Sequence, residues 1–217
     1  MSFKWPDGFA RCPEEDWALK PLEELALKYD TVEEHGWYDN LDTSVQQLAD
    51  DLEPGDVLID YSGGTGILTD RLLAAVERTD FGVLVVDSSP KFLRLALEKF
   101  KDNPQVAFGL IRYLKPERRL QLLGEVIWPV MAERGVDALC STNAIHLYYG
   151  LAETLGAWHR ALRPGGRVYV QSGNMRNPNA APNTWIIDET VAHIHRAAME
   201  LVRLNPEWEA YLSLIHI

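Results

Sequence analysis

The run Ser62-Gly63-Gly64-Thr65-Gly66 is where the chain most plainly offers chemistry. It follows an apolar run over 57–61 and precedes a stretch of helical periodicity over 67–76. Glycines there let the backbone turn sharply and let a ligand approach without Cβ obstruction, and a helix opening just behind them presents unpaired N–H groups. About twenty residues on, Asp87 closes the next apolar run, where a carboxylate can accept from both hydroxyls of a ribose. Loop, context and Asp87 together point to a nucleoside cofactor. The alternative is a tight strand-to-helix turn that holds nothing.

Asp60 narrows the choice of nucleoside. The dinucleotide pattern GxGxxG is not met, because Gly64-Thr65-Gly66 continues as Ile67-Leu68-Thr69 without a third glycine. A pyrophosphate site wants bare N–H groups, and the carboxylate that closes the first apolar run would repel it. Beside an ammonium or a sulfonium the same carboxylate is attractive, by on the order of a few kcal/mol at intermediate dielectric. Asp60 therefore argues for a cationic, phosphate-free cofactor. A carboxylate that caps the N–H groups of its own loop would fit either ligand.

The elements that must position these residues follow from periodicity. Strands are expected at 57–61, 82–87, 106–111, 136–142 and 167–172. Helices are expected from Thr43 or Ser44 to Leu52, at 67–76, at 90–100 with Pro90 in its first position, at 118–133 with an interruption near Pro129, and at 151–162, stopped by Pro164-Gly165-Gly166. Continuous apolar runs suit strands buried on both faces. Their alternation with helices implies an α/β fold, a doubly wound, mainly parallel sheet of order 3-2-1-4-5 with helices on both faces. Ligands bind such a sheet at the carboxyl ends of its strands, at the switch point between strands 1 and 4. That rim is 60–66, 87–89, 111–113, 141–146 and 172–174.

Around this cofactor-binding domain, 45–175, two further segments are expected. Residues 1–44 read as an N-terminal helical lid, with a short helix at 21–29 and with Trp5, Trp17, Trp37 and Tyr38 as lid or core aromatics. Residues 176–211 read as a loop and a helix over 187–204. A sheet of this kind often continues with further strands, so a C-terminal truncation is expected. The final 212–217, Leu-Ser-Leu-Ile-His-Ile, reads as a translated sequencing-adapter scar, the alternative being a natural apolar C-terminus.

A chain of 217 residues suits one domain with a sizeable core. Its formal net charge of -11 repels phosphate backbones, so nucleic acid is not an expected partner, whereas a cationic small molecule is compatible. Cys12 and Cys140 form no CxxC and no zinc-spaced cluster, so reduced thiols and no metal are expected. No apolar signal region follows Met1, and no stretch is long and apolar enough to span a bilayer. The expectation is a cytoplasmic protein without a membrane partner. Oligomeric state is open.

At this point the chain resembles a known family. Val57-Leu58-Ile59-Asp60-Tyr61-Ser62-Gly63-Gly64-Thr65-Gly66 looks like the first motif of class I S-adenosylmethionine-dependent methyltransferases. Leu84-Val85-Val86-Asp87-Ser88-Ser89 resembles their second-strand acidic site, 137–146 their fourth-strand segment, and 162–168 the turn before their fifth strand. The resemblance implies S-adenosylmethionine as cofactor, with Asp60 and the backbone of Ser62, Gly63, Gly64, Thr65 and Gly66 on its methionine part. It places Asp87 on the ribose, Ser88 beside the adenine, and Asn143 and Ala144 near the amino-acid end and the methyl group. Ser62 departs from the family by replacing the usual first glycine. Ile111-Arg112-Tyr113 departs by lacking the usual acid after the third strand, which leaves the adenine to Tyr113 stacking or to backbone groups of this Arg112-Tyr113 segment.

The reaction so implied is methyl transfer to a small or medium-sized acceptor by in-line displacement, in which the enzyme aligns the nucleophile and excludes water. A base is needed only for a protonated nucleophile. His146 is the candidate, against a packing role on the helix; Tyr148 and Tyr149 read as pocket walls, and His159 as structural. The competing readings are an NAD(P)-dependent oxidoreductase and a non-catalytic cofactor-binding module.

Overall fold

The computed structural model describes residues 2–22, 41–127, 131, 134–148, 150–172, 196–197 and 200–205. The chain forms two compact units, Met1–Gln171 and Ser172–Ile217. In the second, 196–197 and 200–204 are helical, within the helix expected at 187–204; the rest of that expectation lies outside the described residues.

The first unit is built on the apolar runs. β1 (Val57–Tyr61) and β2 (Gly82–Asp87) are buried at every residue, as central strands covered on both faces must be. With β3 (Val106–Leu110), β6 (Val136–Thr142) and β7 (Leu162–Gln171) they make a parallel sheet of order β3-β2-β1-β6-β7. This is the order expected from sequence, with β6 and β7 as its fourth and fifth strands. Alternation along the strands splits the core in two. Leu58, Val83, Val85, Ala138 and Cys140 pack with residues of α2 (Asp42–Asp51), α3 (Ile67–Ala75) and α4 (Pro90–Phe100). Ile59, Leu84, Val86 and Leu139 pack with α5 (Leu123–Ile127) and α6 (Leu151–Ala161). α4 starts as its sequence dictates: Pro90 needs no N–H partner, and the Ser89 hydroxyl accepts from the Phe92 N–H.

Two expectations are corrected. The helix expected at 118–133 is replaced by an antiparallel pair, β4 (Tyr113–Leu114) with β5 (Arg119–Leu120), and only then by the short α5. Pro116 lies in the connection and Arg118 takes a left-handed φ of 52°, so the backbone there turns back instead of winding on. Residues 128–130 lie outside the described residues. β7 also begins earlier than expected. Val136 and Ala138 of β6 pair with Leu162 and Arg167, so the Pro164-Gly165-Gly166 segment bulges out of a ladder that continues past it.

The described part of the N-terminal segment, 2–22, runs along the β3 side of the sheet. The Phe3 N–H donates to Thr79 O at 2.7 Å, and its ring lies on Gly82 where any Cβ would collide with it. The Trp5 indole donates to Pro104 O, and the Phe108 N–H of β3 donates to Arg11 O at 3.1 Å. The Arg11 guanidinium donates to Asn103 O and Val106 O, each at 2.9 Å, beside the end of α4. Trp17, in α1 (Asp16–Leu19), is buried in the core. An otherwise open sheet edge is thereby covered. Trp5 and Trp17 serve as packing aromatics; Trp37, Tyr38 and most of the helix expected at 21–29 lie outside the described residues.

Candidate functional site

Asp60 stands near the end of β1, paired with Val85 on one side and Cys140 on the other. Its side chain turns toward α3, where the Thr69 hydroxyl donates to Oδ2 at 2.7 Å. The residue is 1% exposed, and Oδ1 has no hydrogen-bond partner among the described residues. Burial pushes this carboxyl up to about 6, opposed by the Thr69 hydrogen bond and aided by the nearby charge of Asp87.

The loop seats directly over that carboxylate. A Cβ on Gly63 would lie 2.8 Å from Asp60 Cγ and 2.9 Å from Val85 Cγ1, so only glycine fits there. Gly64 is the reverse case: at a φ of 57° it has nothing within 4 Å of a Cβ position, so that side of the loop faces open space. Its N–H donates to Asp87 Oδ2 at 2.8 Å, while the Ser89 N–H donates to Oδ1 at 2.6 Å. Asp87 thus ties the glycine loop to the turn after β2, and each carboxylate oxygen retains accepting capacity for a further donor. Burial raises its carboxyl above the usual range, against the pull of the Ser89, Gly64 and Ser88 backbone groups. Thr65 is buried behind the loop, and Ser88 is exposed beside Asp87.

Across the switch point, β6 ends beside β1. Asn143 takes a φ of 53°, a left-handed conformation that Asn tolerates better than most residues, and its N–H donates to Gln171 O of β7 at 2.8 Å. Ala144 is buried, and the turn Ile145–Leu147 that follows carries His146 on its exposed side. Ser62 also has a positive φ, 59°. Its Oγ accepts from the Tyr148 hydroxyl at 2.8 Å, and that hydroxyl is also 2.8 Å from Ser141 Oγ. Tyr148 was legible only as a wall residue and Thr69 not at all. The one sequence signal for Tyr148 is a serine at a glycine position, which needs support from elsewhere.

Asp60, Ser62 to Gly66, Asp87, Asn143 and Ala144 therefore gather on one rim. Arg112 and Tyr113 lie farther out, past Leu110, the β3 partner of Asp87. The Arg112 guanidinium pairs with Glu15 at 2.6 Å, and Tyr113 is an exposed residue of β4. A cavity of about 410 Å³, lined by Leu122, Gly124, Glu125, Ala157, Arg160 and Ala161, shares no residue with this rim. Among the described residues no group of three or more His, Cys, Asp or Glu is placed to hold a metal, and no helix is long and apolar enough to cross a membrane.

The rim suits a ligand with positive charge near Asp60 and a diol near Asp87. A family model described as a methyltransferase domain matches residues 59–168, about half of the chain. No curated protein matches the sequence. A solved candidate S-adenosyl-L-methionine-dependent methyltransferase of Methanococcus maripaludis is 17% identical, with a TM-score of 0.52 over 94% of this chain and 79% of that one. The [4+2]-cyclase SpnF is 17% identical, with a TM-score of 0.50 over 64% of this chain and 47% of that one. A chain from the Haloferax volcanii complex of the Trm112 methyltransferase activator with a candidate methyltransferase is 19% identical, with a TM-score of 0.48 over 70% of this chain; this chain spans 61% of its length. At identities this low, the likeness to the first two of these structures shows the fold alone. The family model takes in the glycine loop, Asp87 and most of the β3-β2-β1-β6-β7 sheet, and on that ground the chain belongs to the class I S-adenosylmethionine-dependent methyltransferases.

Proposed function

We propose that this chain binds S-adenosylmethionine at the β1–β6 rim and transfers its methyl group to a small or medium-sized acceptor by in-line displacement. The observation that carries this reading is the buried Asp60 carboxylate, with one oxygen unpartnered among the described residues, beneath Gly63, where any Cβ would press on that carboxylate. It makes a floor that repels phosphate and attracts a cation.

The residues divide the task by position. Asp60 and the backbone of Ser62 to Gly66 would hold the methionine part. Asp87 would accept from the ribose hydroxyls, each of its oxygens carrying one backbone N–H already. Ser88 would flank the adenine, with Arg112 and Tyr113 as the neighbouring segment and Asn143 and Ala144 on the methyl side. When bound, S-adenosylmethionine supplies an electrophilic methyl group on a sulfonium. The chain's own contribution is to orient the acceptor and exclude water. His146, exposed on the turn after β6, would take the proton of an O–H or N–H acceptor.

A fold-level likeness does not fix a reaction, as the cyclase SpnF illustrates, so the test must follow the methyl group itself. The chain is incubated with methyl-labelled S-adenosylmethionine and a small-molecule extract, and products are read by mass spectrometry. Label in a small molecule is the expected outcome. S-adenosylhomocysteine binding with no label in any fraction would favour the non-catalytic module instead.

A further inference from the structure

We propose that the Tyr148 hydroxyl is a positioning group that holds Ser62 in its left-handed conformation and so sets the shape of the glycine loop. The inference rests on the cofactor reading above, and it concerns a residue that the sequence offers only as a pocket wall.

Ser62 carries a Cβ in a backbone region that L residues rarely occupy, with φ at 59°. Something must hold it there. Its hydroxyl oxygen accepts from Tyr148 at 2.8 Å, over a separation of 86 residues. Tyr148 has one proton, and that proton goes to Ser62, so the contact with Ser141 requires Ser141 to donate. The resulting chain, Ser141 to Tyr148 to Ser62, joins β6 to the exit of β1 across the switch point. Ser141 is fully buried, which anchors the far end.

The ring that carries the hydroxyl is held by other rings. Tyr148 meets Tyr61 edge-on at 5.7 Å and 88°, and Trp158 at 6.0 Å and 88°. Burial raises the Tyr148 phenol above its usual range, against the hydrogen bonds of Ser141 and Ser62 and with the charges of Asp87 and Asp60, so the group stays a neutral donor. The consequence is local. Gly63, the next residue, sits over Asp60 with its N–H on Val86 O at 3.1 Å, and Gly64 reaches Asp87. A change at Ser62 φ moves both contacts.

The test is a double-mutant cycle of Tyr148→Phe and Ser62→Gly in the full chain. Each protein is read by urea unfolding without ligand and by calorimetric titration with S-adenosylhomocysteine. Phenylalanine keeps the ring packing and removes only the hydroxyl. Glycine takes positive φ unaided, so the clamp has nothing left to hold. Tyr148→Phe should weaken binding on the order of tenfold with Ser62 in place, and less than about twofold on the Ser62→Gly background. Its unfolding penalty should be smaller on that background too. Equal losses on both backgrounds, or no loss in either, would overturn the proposal. If the unsubstituted chain binds no S-adenosylhomocysteine, the functional reading fails, and the unfolding cycle alone decides the clamp: coupling supports it and additivity overturns it.

Discussion

In the rim, burial and charge oppose each other most sharply at Asp60. Its carboxyl is pushed up to about 6 in the folded chain against 3.8 for the ordinary side chain, because burial disfavours the charged form. Between those values the folded state holds the proton more tightly than the unfolded one. Asp60 therefore favours folding at acid pH, and that contribution is lost as pH rises through about 6. A cationic ligand reverses the preference, since it favours the ionised form. Affinity for S-adenosylmethionine should accordingly fall as pH drops below about 6 and level off above neutrality, as calorimetry across this range would show. Asp60→Asn should weaken binding at pH 8 on the order of tenfold and flatten the pH dependence, one pK unit being worth a factor of ten. Unchanged affinity in the variant would show that the loop is only a turn. That Asp60, the glycines and Asp87 share one rim was legible in sequence because their types and short spacing are local facts. The Tyr148 clamp was not: its partner is 86 residues away, and the need for it shows only in a backbone angle.

At the scale of elements, the strands were legible because a run buried on both faces has to be apolar throughout, as β1 and β2 are. The failure at 118–133 has a physical reason. Leu120, Leu123 and Ile127 stand at helical spacing, but Leu120 pairs with Tyr113 in a hairpin, and only Leu123 and Ile127 belong to a helix. Periodicity could not see that pairing. The same holds for Pro164-Gly165-Gly166, which stops α6 as read but bulges within β7 where a gap was expected. At the amino end of the sheet, Asp137 binds elements together. It accepts from the Val57 N–H at 2.7 Å, from Arg134 at 2.9 Å and from Arg163. Asp137→Ala would leave a buried N–H unpaired at the start of β1, at a cost of about 2–3 kcal/mol. Urea unfolding should register that loss, while S-adenosylhomocysteine affinity, set at the opposite end of the strands, should stay within about twofold.

For the whole molecule, right-handed crossovers left few topologies, and the strand order could be read before any contact was known. The N-terminal segment could not. Its aromatics fit a lid or a core equally well by composition, and only the path of 2–22 along β3 separates the two for Trp5 and Trp17. The net charge of -11 and the buried carboxylate of Asp60 act in one direction, against a ligand that carries phosphate. Calorimetric titration of the chain at pH 8, with S-adenosylhomocysteine and separately with NADH, puts that preference to the test. Saturable one-site binding of S-adenosylhomocysteine and no binding of NADH is the expected result. Saturable binding of NADH with none of S-adenosylhomocysteine would overturn it.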